Sequence, residues 1–378
     1  MNNQVPAGTF TFQASTTDSD ILGGDDQLGL YICSTNSWSV TTGCAATTFC
    51  STTTMASDPY CTWADTAPTP HGNTTYYAFI KDWHDLSGTS TWSNTYTIID
   101  VSPSVGDVIV NGGNPITVNL RGASSVIVTA STTFTDQNEC GDVIDATSTI
   151  KYATSSTDTY ECTADNNSCY KTTAAGCSVS CLGGGSATGY VTCTTSIEYY
   201  AIPSDNGYAT NPYRVGDWRG LISIYDQSFY PYGTSSTGVD LNTLEGLEIT
   251  QTIIDYGILA ANSDTGSTNA TTTVINYGNS PLDVSLLVGD MTNASDSAYK
   301  ILAPQQEYSV SNFAWGTGTD GSSTTPSTAD VAITRPHGVD VTDDIYWGIG
   351  VPNVRSGPYY GSSTFMATVD NNDSAEWW

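Results

Sequence analysis

Short runs of alternating apolar and polar residues, separated by clusters of Gly, Ser, Asp and Thr, limit most strongly how this chain can fold. After a Gly-Asn-Ser-Pro turn, Leu282, Val284 and Leu286 alternate with polar residues. Residues 7–100 repeat the pattern in the runs GTFTFQAS, LGLYICS, TTYYAFIKD and TYTIID. One buried face of a β-sheet requires this two-residue period, whereas a helical period is hard to find. The sequence therefore predicts an all-β protein made of sandwiches.

Breaks in this pattern divide the chain. Its 378 residues are enough for several domains that each bury a core. Pro103 interrupts the first series of strands, and a Gly/Ser/Thr-rich stretch at residues 232–240 has the composition of a linker. We therefore predict a rod of three tandem immunoglobulin-like β-sandwich domains, at residues 1–101, 102–238 and 239–378.

Ten cysteines, none of them in the third predicted domain, fall into two even groups. The spacings lack C-x2-C zinc pairs and the three histidines are scattered, so disulfides in an oxidising, extracytoplasmic space are expected. Sequential pairing is the simplest choice for the first group, and the pairing of the second stays open. The groups are Cys33, Cys44, Cys50 and Cys61, then Cys140, Cys162, Cys169, Cys177, Cys181 and Cys193.

The net charge of −29 excludes nucleic acid as a partner. The same charge favours divalent cations, and clustered carboxylates suit Ca²⁺ better than Zn²⁺. Dispersal of a surface protein in water explains the acidity equally well. No apolar run approaches the length of a membrane span, and the opening residues lack the features of a signal peptide. We expect an extracellular chain that is a processed or excised segment.

Acidic loops supply the candidate calcium ligands. In an immunoglobulin-like sandwich two of the loops meet at one pole, which groups Asp18, Asp20, Asp25 and Asp26 with Asp82 and Asp85. In the second domain the same argument groups Asp136, Glu139, Asp142 and Asp145 with Asp226. Asp100 and Asp107 flank the first linker, where an ion would stiffen the joint. The first loop lacks the EF-hand spacing, and the alternative is that all of these are solvated turn residues.

Catalytic chemistry finds little support in the sequence. His71, His84 and His337 lie in separate loops without an accompanying Ser or Cys motif. The glycine-rich stretch CLGGGSATG lacks the Lys of a phosphate-binding loop. Among 38 acidic residues, carboxylate pairs with the spacing of a glycosidase arise by chance. We expect that the chain is not an enzyme.

Aromatic residues cluster near loops, in the stretches DWHD, YDQSFYPYG, NPYRVGDWRG and SGPYYG. Exposed Tyr and Trp stack on sugars and anchor protein contacts. The simpler explanation for any one of them is a tyrosine-rich core and rim. Trp347 alternates with Ile345 in DIYWGIGVP, which predicts a core position.

Three segments of the chain are distinctive: IDYGILA, TNATTTVINYGN and DIYWGIGVP. With them, nearly the whole chain resembles modular, uncharacterised surface proteins of candidate-phyla-radiation (Patescibacteria) bacteria. The first hundred residues are similar more generally to polycystic-kidney-type and other immunoglobulin-like modules, and the third predicted domain to bacterial modules built around an N-x-G-N turn. The resemblance implies a surface location and an immunoglobulin-like fold, and it implies no catalytic residue.

The two ends predict how copies assemble. Phe365, Ala367 and Val369 alternate near the C-terminus, and Trp377 and Trp378 end the chain. Because the opening residues are too few for a full first strand, we expect this C-terminal segment to dock on the first domain of the next copy, forming a head-to-tail homopolymer. A frayed tail is the alternative. These features predict a structural subunit of a cell-surface fibre or layer, or alternatively an adhesin that binds surface glycans or proteins.

Overall fold

The computed structural model describes residues 3–16, 27–82, 84, 92–122, 125–154, 162–205, 216–370 and 374–377. Regular structure in these residues is almost entirely β-strand, so the predicted all-β class is confirmed. No helix among them is long and apolar enough to cross a lipid bilayer. Short 3-10 helices lie at Asn111–Gly113, Cys140–Asp142, Ala174–Gly176, Ala303–Gln305 and Ser374–Trp377.

The first hydrophobic core lies between two sheets of unequal size. The strands are β1 (Asn3–Gln4), β2 (Thr9–Gln13), β3 (Leu28–Cys33), β4 (Trp38–Ser39), β5 (Gly43–Cys44), β6 (Thr48–Thr54), β7 (Tyr60–Ala64), β8 (Gly72–Lys81) and β9 (Trp92–Ile98). The larger sheet has the order β1-β9-β8-β3-β6, and the smaller one pairs β2 with β7. Phe10 and Phe12 alternate with exposed residues on β2 and pack against Tyr96 of the larger sheet.

The second core is the largest cluster and lies between two sheets of similar size. The strands are β10 (Ser104–Val105), β11 (Ile109–Val110), β12 (Val126–Thr135), β13 (Asp145–Ala153), β14 (Cys169–Thr172), β15 (Cys177–Cys181), β16 (Thr188–Ile197), β17 (Asp217–Tyr225) and β18 (Tyr232–Thr234). One sheet has the order β10-β12-β16-β15 with β11 also on β12, and the other has the order β14-β13-β17-β18. Their buried faces enclose Trp218.

The third core contains no cysteine. The strands are β19 (Leu247–Ile249), β20 (Ala270–Asn276), β21 (Leu282–Val288), β22 (Met291–Asn293), β23 (Asp296–Ile301), β24 (Gln306–Ser309), β25 (Thr319–Asp320), β26 (Ser327–Ile333), β27 (Thr342–Ile349), β28 (Tyr359–Tyr360) and β29 (Ser363–Val369). The sheets have the orders β19-β20-β27-β24-β25, β26-β21-β29 and β23-β22-β28. Leu286 on β21 and Trp347 on β27 belong to the cluster they enclose.

A fully buried tryptophan lies in each of the last two cores, so the core position predicted for Trp347 is confirmed. Each indole N–H finds an acceptor: Trp218 donates to the Ile202 carbonyl at 2.9 Å and Trp347 donates to Thr272 Oγ1 at 2.7 Å. A buried indole needs such a partner, because an unpaired buried N–H lowers stability. The aromatic stretch around Trp218, suspected of surface recognition, therefore contributes its tryptophan to packing.

The predicted linker at residues 232–240 is part of the second sandwich. Tyr232–Thr234 pairs with β17, and the buried Ser235 hydroxyl accepts the Gly220 N–H at 2.9 Å. Leu241 also packs into the second core, a few residues beyond the boundary predicted after residue 238. Small polar residues suit an edge strand as well as a linker, which is why composition misassigned this stretch.

All ten cysteines form disulfides, each within its own sequence group. The bonds are Cys33–Cys44, Cys50–Cys61, Cys140–Cys181, Cys162–Cys169 and Cys177–Cys193. The first two are the sequential pairs expected from the sequence. Every bond includes a cysteine on a strand at the edge of its sheet, namely β5, β6, β14 or β15. The disulfides therefore fasten the edges, where a sandwich opens most easily.

Candidate functional site at the joints between the cores

Two fully buried asparagines bind the segments that connect consecutive cores. Asn138 belongs to the first joint, formed by residues 99–101 and the loop 136–142. Its Oδ1 accepts the Val101 N–H at 2.8 Å, and its Nδ2 donates to the Ile99 carbonyl at 3.1 Å. Nδ2 also lies 3.4 Å from the Thr69 carbonyl oxygen, in the first sandwich. One side chain of the second sandwich therefore holds the linker on both sides of Asp100.

The second joint, formed by residues 242–244 and the loop 276–280, repeats this arrangement. Asn279 Oδ1 accepts the Leu244 N–H at 2.7 Å, and Nδ2 donates to the Asn242 carbonyl at 3.1 Å. In both joints the asparagine binds the carbonyl of one linker residue and the N–H two residues later. We call this pair of hydrogen bonds the asparagine clasp.

Local sequence explains why both loops present an asparagine in this way. Asp136 Oδ1 accepts the Asn138 N–H at 2.8 Å, and Asn276 Oδ1 accepts the Gly278 N–H at 2.9 Å. Such turns are typical of Asp and Asn at the end of a strand. At the second joint glycine is also required, because a Cβ on Gly278 would lie 2.1 Å from the Leu244 carbonyl oxygen.

The first joint concentrates carboxylates. Asp136 and Asp226 are fully buried, and Oδ2 of each has no hydrogen-bond partner among the described residues. Both buried carboxylate oxygens of Asp100 are also unpaired there. Burial, followed by the charges of Asp142, Asp226 and Asp100, raises the pKa of Asp136 to about 6, although the Asn138 hydrogen bond opposes this. The predicted convergence of Asp136 and Asp142 with Asp226 is therefore present in the structure.

His71 of the first sandwich faces the same carboxylates. Its Nδ1 donates to Asp142 Oδ2 at 3.0 Å, across the joint. The hydrogen bond to Asp142 is the main reason that the pKa of His71 is raised, with the charges of Asp100 and Asp136 adding to it against the effect of burial. The first joint is therefore an acidic cluster with a titratable histidine at its rim.

Arg335 lies beside the second joint, next to Thr334, whose carbonyl accepts a hydrogen bond from Asn276, and is only 4% exposed. Its Nη1 donates to Asn167 Oδ1 at 2.6 Å and to the Tyr200 carbonyl at 2.7 Å, both in the second sandwich. Its Nε donates to the Trp377 carbonyl at 3.3 Å, and its backbone N–H donates to Glu376. One guanidinium thus connects the second sandwich, the third sandwich and the C-terminal turn.

Arg121 makes a more exposed contact at the second joint. Its Nη2 lies 2.6 Å from Asp340 Oδ1, and its guanidinium lies 4.9 Å from the centre of the Tyr277 ring. Its backbone N–H donates to the Tyr277 carbonyl. The two arginines, Arg121 and Arg335, therefore distinguish this joint from the acidic first joint.

The residues predicted to join separate copies are used within the chain. Trp377 packs into the second core and is 2% exposed, and its indole N–H lies 3.3 Å from the Asp370 carbonyl oxygen. Phe365 packs against Trp347 in the third core. Both side chains therefore have apolar partners within their own chain, and their role in contacts between copies stays a prediction. Trp378 lies outside the described residues.

Most of the calcium ligands predicted in the first sandwich also lie outside the described residues. These are Asp18, Asp20, Asp25, Asp26 and Asp85. Asp82 follows β8 and is half-buried. Their convergence and any role in binding calcium stay predictions.

Sequence reasoning missed the residues that close the joints. A signal for the asparagines existed, because Asp-Gln-Asn at 136–138 and Asn-Tyr-Gly-Asn at 276–279 each lie at the end of a strand and each begin with a turn-forming Asx residue. Arg335 had no local signal apart from the scarcity of cations, with 9 Lys and Arg in the chain. Apart from His337, its side-chain partners lie far away in sequence, 168 residues in the case of Asn167.

Comparisons with known proteins give only distant likenesses. No protein-family model and no curated protein matches the chain. Solved structures similar to parts of it include the major pilin subunit BcpA of Bacillus cereus, at 6% identity over 97% of each chain with a TM-score of 0.24. The CsuC-CsuE chaperone-tip adhesion subunit complex of Acinetobacter baumannii matches at 12% identity over 70% of this chain and 99% of that one, with a TM-score of 0.29. A tetra-tandem repeat from the extending region of a large adhesion protein matches at 12% identity over 92% and 68%, with a TM-score of 0.28. Likenesses this low carry no argument about function.

Proposed function

We propose that this chain is an extracellular structural subunit of a cell-surface fibre or surface layer and assembles with copies of itself. The asparagine clasp is the observation that carries the proposal. Opening either clasp leaves part-buried backbone N–H and C=O groups without their partner in the chain, so bending at the joints costs free energy. Sandwiches that keep a fixed orientation relative to their neighbours transmit force along the chain, which a structural subunit must do. This role needs no catalytic residue.

The disulfides support the same role and location. They fasten edge strands of the first two sandwiches, where pulling or local opening would begin. Disulfides persist in oxidising compartments and are rare where thiols are kept reduced. A net charge of −29 keeps such a surface protein dispersed before it assembles.

The small sheet of the first sandwich provides the surface for self-association. Within the described residues, β2 and β7 pair only with each other, so each presents a strand edge. Such an edge forms backbone hydrogen bonds with a strand from another molecule. The proposed partner is a second copy in head-to-tail orientation, and this contact extends into a filament unless its rotation closes a ring.

Light scattering and negative-stain microscopy of the oxidised chain over a range of concentrations test this proposal. The expected result is polymer that increases with concentration and is lost in the double variant Thr9→Lys/Gln13→Lys, because lysine on an edge strand opposes pairing. Thr133→Lys/Thr135→Lys is the matched control, since these exposed threonines lie on β12, which has neighbours on both sides. A chain that stays monomeric at every concentration contradicts the proposal.

Adhesion is a second candidate, favoured by an exposed aromatic hairpin. Tyr230 and Tyr232 are 69% and 65% exposed, and Phe229 is also exposed. The rings of Tyr225 and Tyr230 stack at 4.5 Å between centres, so Tyr230 is held in place rather than free to rotate. Rigid, exposed aromatic faces are suited to stacking against sugars or anchoring a protein contact.

A glycan array separates the two candidates. Binding that is saturable and is lost in Tyr230→Ala supports adhesion, while Tyr299→Ala, another exposed tyrosine, serves as the control. Self-assembly without glycan binding supports the structural role alone.

A further inference from the structure

Three carboxylates converge on one face of the third sandwich. Asp283 lies on β21, Asp330 on the neighbouring β26, and Asp370 follows β29 on the other side. One carboxylate oxygen from each lies within 4.8 Å of the others. Strand pairing sets the positions of Asp283, Asp330 and the end of β29, which Asp370 directly follows.

Strand register explains the convergence. Val284 pairs with Ala329, so the next step along both strands brings Asp283 beside Asp330. Asp283 also pairs with Thr368, and Asp370 lies two residues further on the same face. The pairing of β21 with β26 shifts between Leu282 and Val284. Such irregularities are common near functional sites, where they change the direction in which a side chain points.

Two of the three carboxylates are buried in the sandwich. Asp283 and Asp370 are 6% and 1% exposed, and Asp283 Oδ1 has no hydrogen-bond partner in the described part of the chain. Like charges on facing strands repel, and an unpaired buried carboxylate lowers stability. Burial and the charges of Asp370 and Asp330 raise the pKa of Asp283 to about 6.

We propose that Asp283, Asp330 and Asp370 bind a Ca²⁺ ion. All three donors are hard carboxylate oxygens, which Ca²⁺ prefers, and the group includes no His or Cys of the kind that zinc selects. Two Ca–O bonds span about 5 Å, which accommodates the observed separation of the oxygens. Asp330 is exposed, so the ion has a path from solvent and water can complete its coordination.

The site would fasten the C-terminal turn to the third sandwich. The Asp370 N–H donates to the Pro281 carbonyl at 3.1 Å, and the Asp370 carbonyl accepts the Trp377 indole. Trp377 in turn packs into the second core and accepts a hydrogen bond from Arg335. A bound ion would therefore stabilise the segment that Arg335 binds and that packs into the second core. This inference is independent of whether the chain forms a fibre.

Calcium titration of the full-length, chelator-stripped protein tests the proposal. Calorimetry with calcium chloride up to about 10 mM covers the range of extracellular calcium modules. In Asp330→Asn we expect the affinity of one site to fall about tenfold or more. Asp330 is exposed, so this variant is expected to fold, and Asp320→Asn on β25 is a matched exposed control that should bind as the parent does. Absence of saturable binding, or binding unchanged in Asp330→Asn, overturns the proposal.

Thermal unfolding distinguishes an ion site from a cluster with only a structural role. At an ion site the effect of Asp330→Asn on the melting temperature should have opposite signs in calcium and in chelator. In calcium the parent melting temperature should rise by about 5 °C, and Asp330→Asn should melt below the parent. In chelator the order should reverse, because the substitution relieves repulsion among the carboxylates. An effect of Asp330→Asn that is the same in calcium and in chelator overturns the proposal. Magnesium chloride serves as the specificity control, since Mg²⁺ demands shorter bonds and regular geometry.

Discussion

The first and second joints share the asparagine clasp but differ in the charge around it. Asn138 lies among Asp100, Asp136 and Asp226, with His71 across the interface. At the second joint, around Asn279, the charged groups include two arginines. A neutral side chain that satisfies one carbonyl and one N–H works in both settings, because it needs no compensating charge.

The asparagine clasp holds the linker in both joints, whereas the surrounding charged groups determine how each joint responds to pH and to substitution. The clasp orders the backbone in both places. The acidic cluster makes the first joint sensitive to protons, while the buried guanidinium makes the second joint depend on one residue that contacts three segments. We therefore expect the two joints to respond to different perturbations.

Reduction of the disulfides should have the largest effect and should act on the two joints unequally. The first joint lies between two disulfide-bonded sandwiches, whereas the second joins one to the cysteine-free third sandwich. Loss of Cys140–Cys181, which closes 41 residues, should alone cost about 4 kcal/mol. Hydrogen exchange with and without reductant should show that residues 270–349 keep their protection. Unfolding of all three cores together would contradict independent stability of the third.

Arg335→Ala should destabilise the second joint by about 3 kcal/mol, because one buried and two part-buried acceptors on three segments lose a charged donor. The readouts are thermal unfolding and hydrogen exchange at residues 374–377, which should lose protection. Arg121→Ala at the same joint is the control, and its partly exposed pair with Asp340 should be worth about 1 kcal/mol or less. Equal effects of the two substitutions would show that Arg335 does not organise the joint.

Asn138→Ala and Asn279→Ala should each cost about 1 to 2 kcal/mol, since each removes the partner of one part-buried N–H and one part-buried carbonyl. The corresponding aspartate variants sharpen the comparison. Asn138→Asp adds a charge to the acidic joint and should cost about 1 kcal/mol more than Asn279→Asp. Chemical denaturation measures all four variants. Indistinguishable aspartate variants would mean that the local charge does not differentiate the joints.

The free energy of unfolding should depend on pH at the first joint by about 1 to 2 kcal/mol. The pKa of Asp136 is raised to about 6 in the folded chain, so stability falls as pH rises between its unfolded value and that pKa. His71 also has a raised pKa, so its contribution is present below its ordinary value and is lost as pH rises through the folded value.

Both groups therefore favour the joint at about pH 5 over pH 8. The measurement is denaturant unfolding in chelator for the parent and for Asp136→Asn, which keeps the hydrogen bond to the Asn138 N–H through its side-chain oxygen. The other groups facing Asp136, namely Asp100, Asp142 and Asp226, are unchanged in this variant. A pH dependence that is identical in parent and variant would exclude Asp136 as its source.

Local patterns in the sequence predicted the strands and part of the covalent framework. Alternation identified β2, β3 and β21, since a buried sheet face imposes its period on neighbouring residues. The Cys33–Cys44 and Cys50–Cys61 pairs, each 11 residues apart, followed from spacing. The six-cysteine group could not be paired in this way, because Cys140–Cys181 encloses both members of Cys162–Cys169 and overlaps Cys177–Cys193.

By itself, then, the sequence determined the all-β class, the oxidised cysteines and the acidic surface, because composition and two-residue periodicity report on local structure and solvent. Only the tertiary structure decided that Trp377 packs within its own chain, that asparagine clasps hold the linkers, and that Asp283, Asp330 and Asp370 lie close together. Each of these depends on strand register or on contacts across tens of residues or more, as in the 37 residues between Val101 and Asn138. Side chains that are ordinary in their own segment acquire a role there because distant segments are brought to within hydrogen-bonding distance.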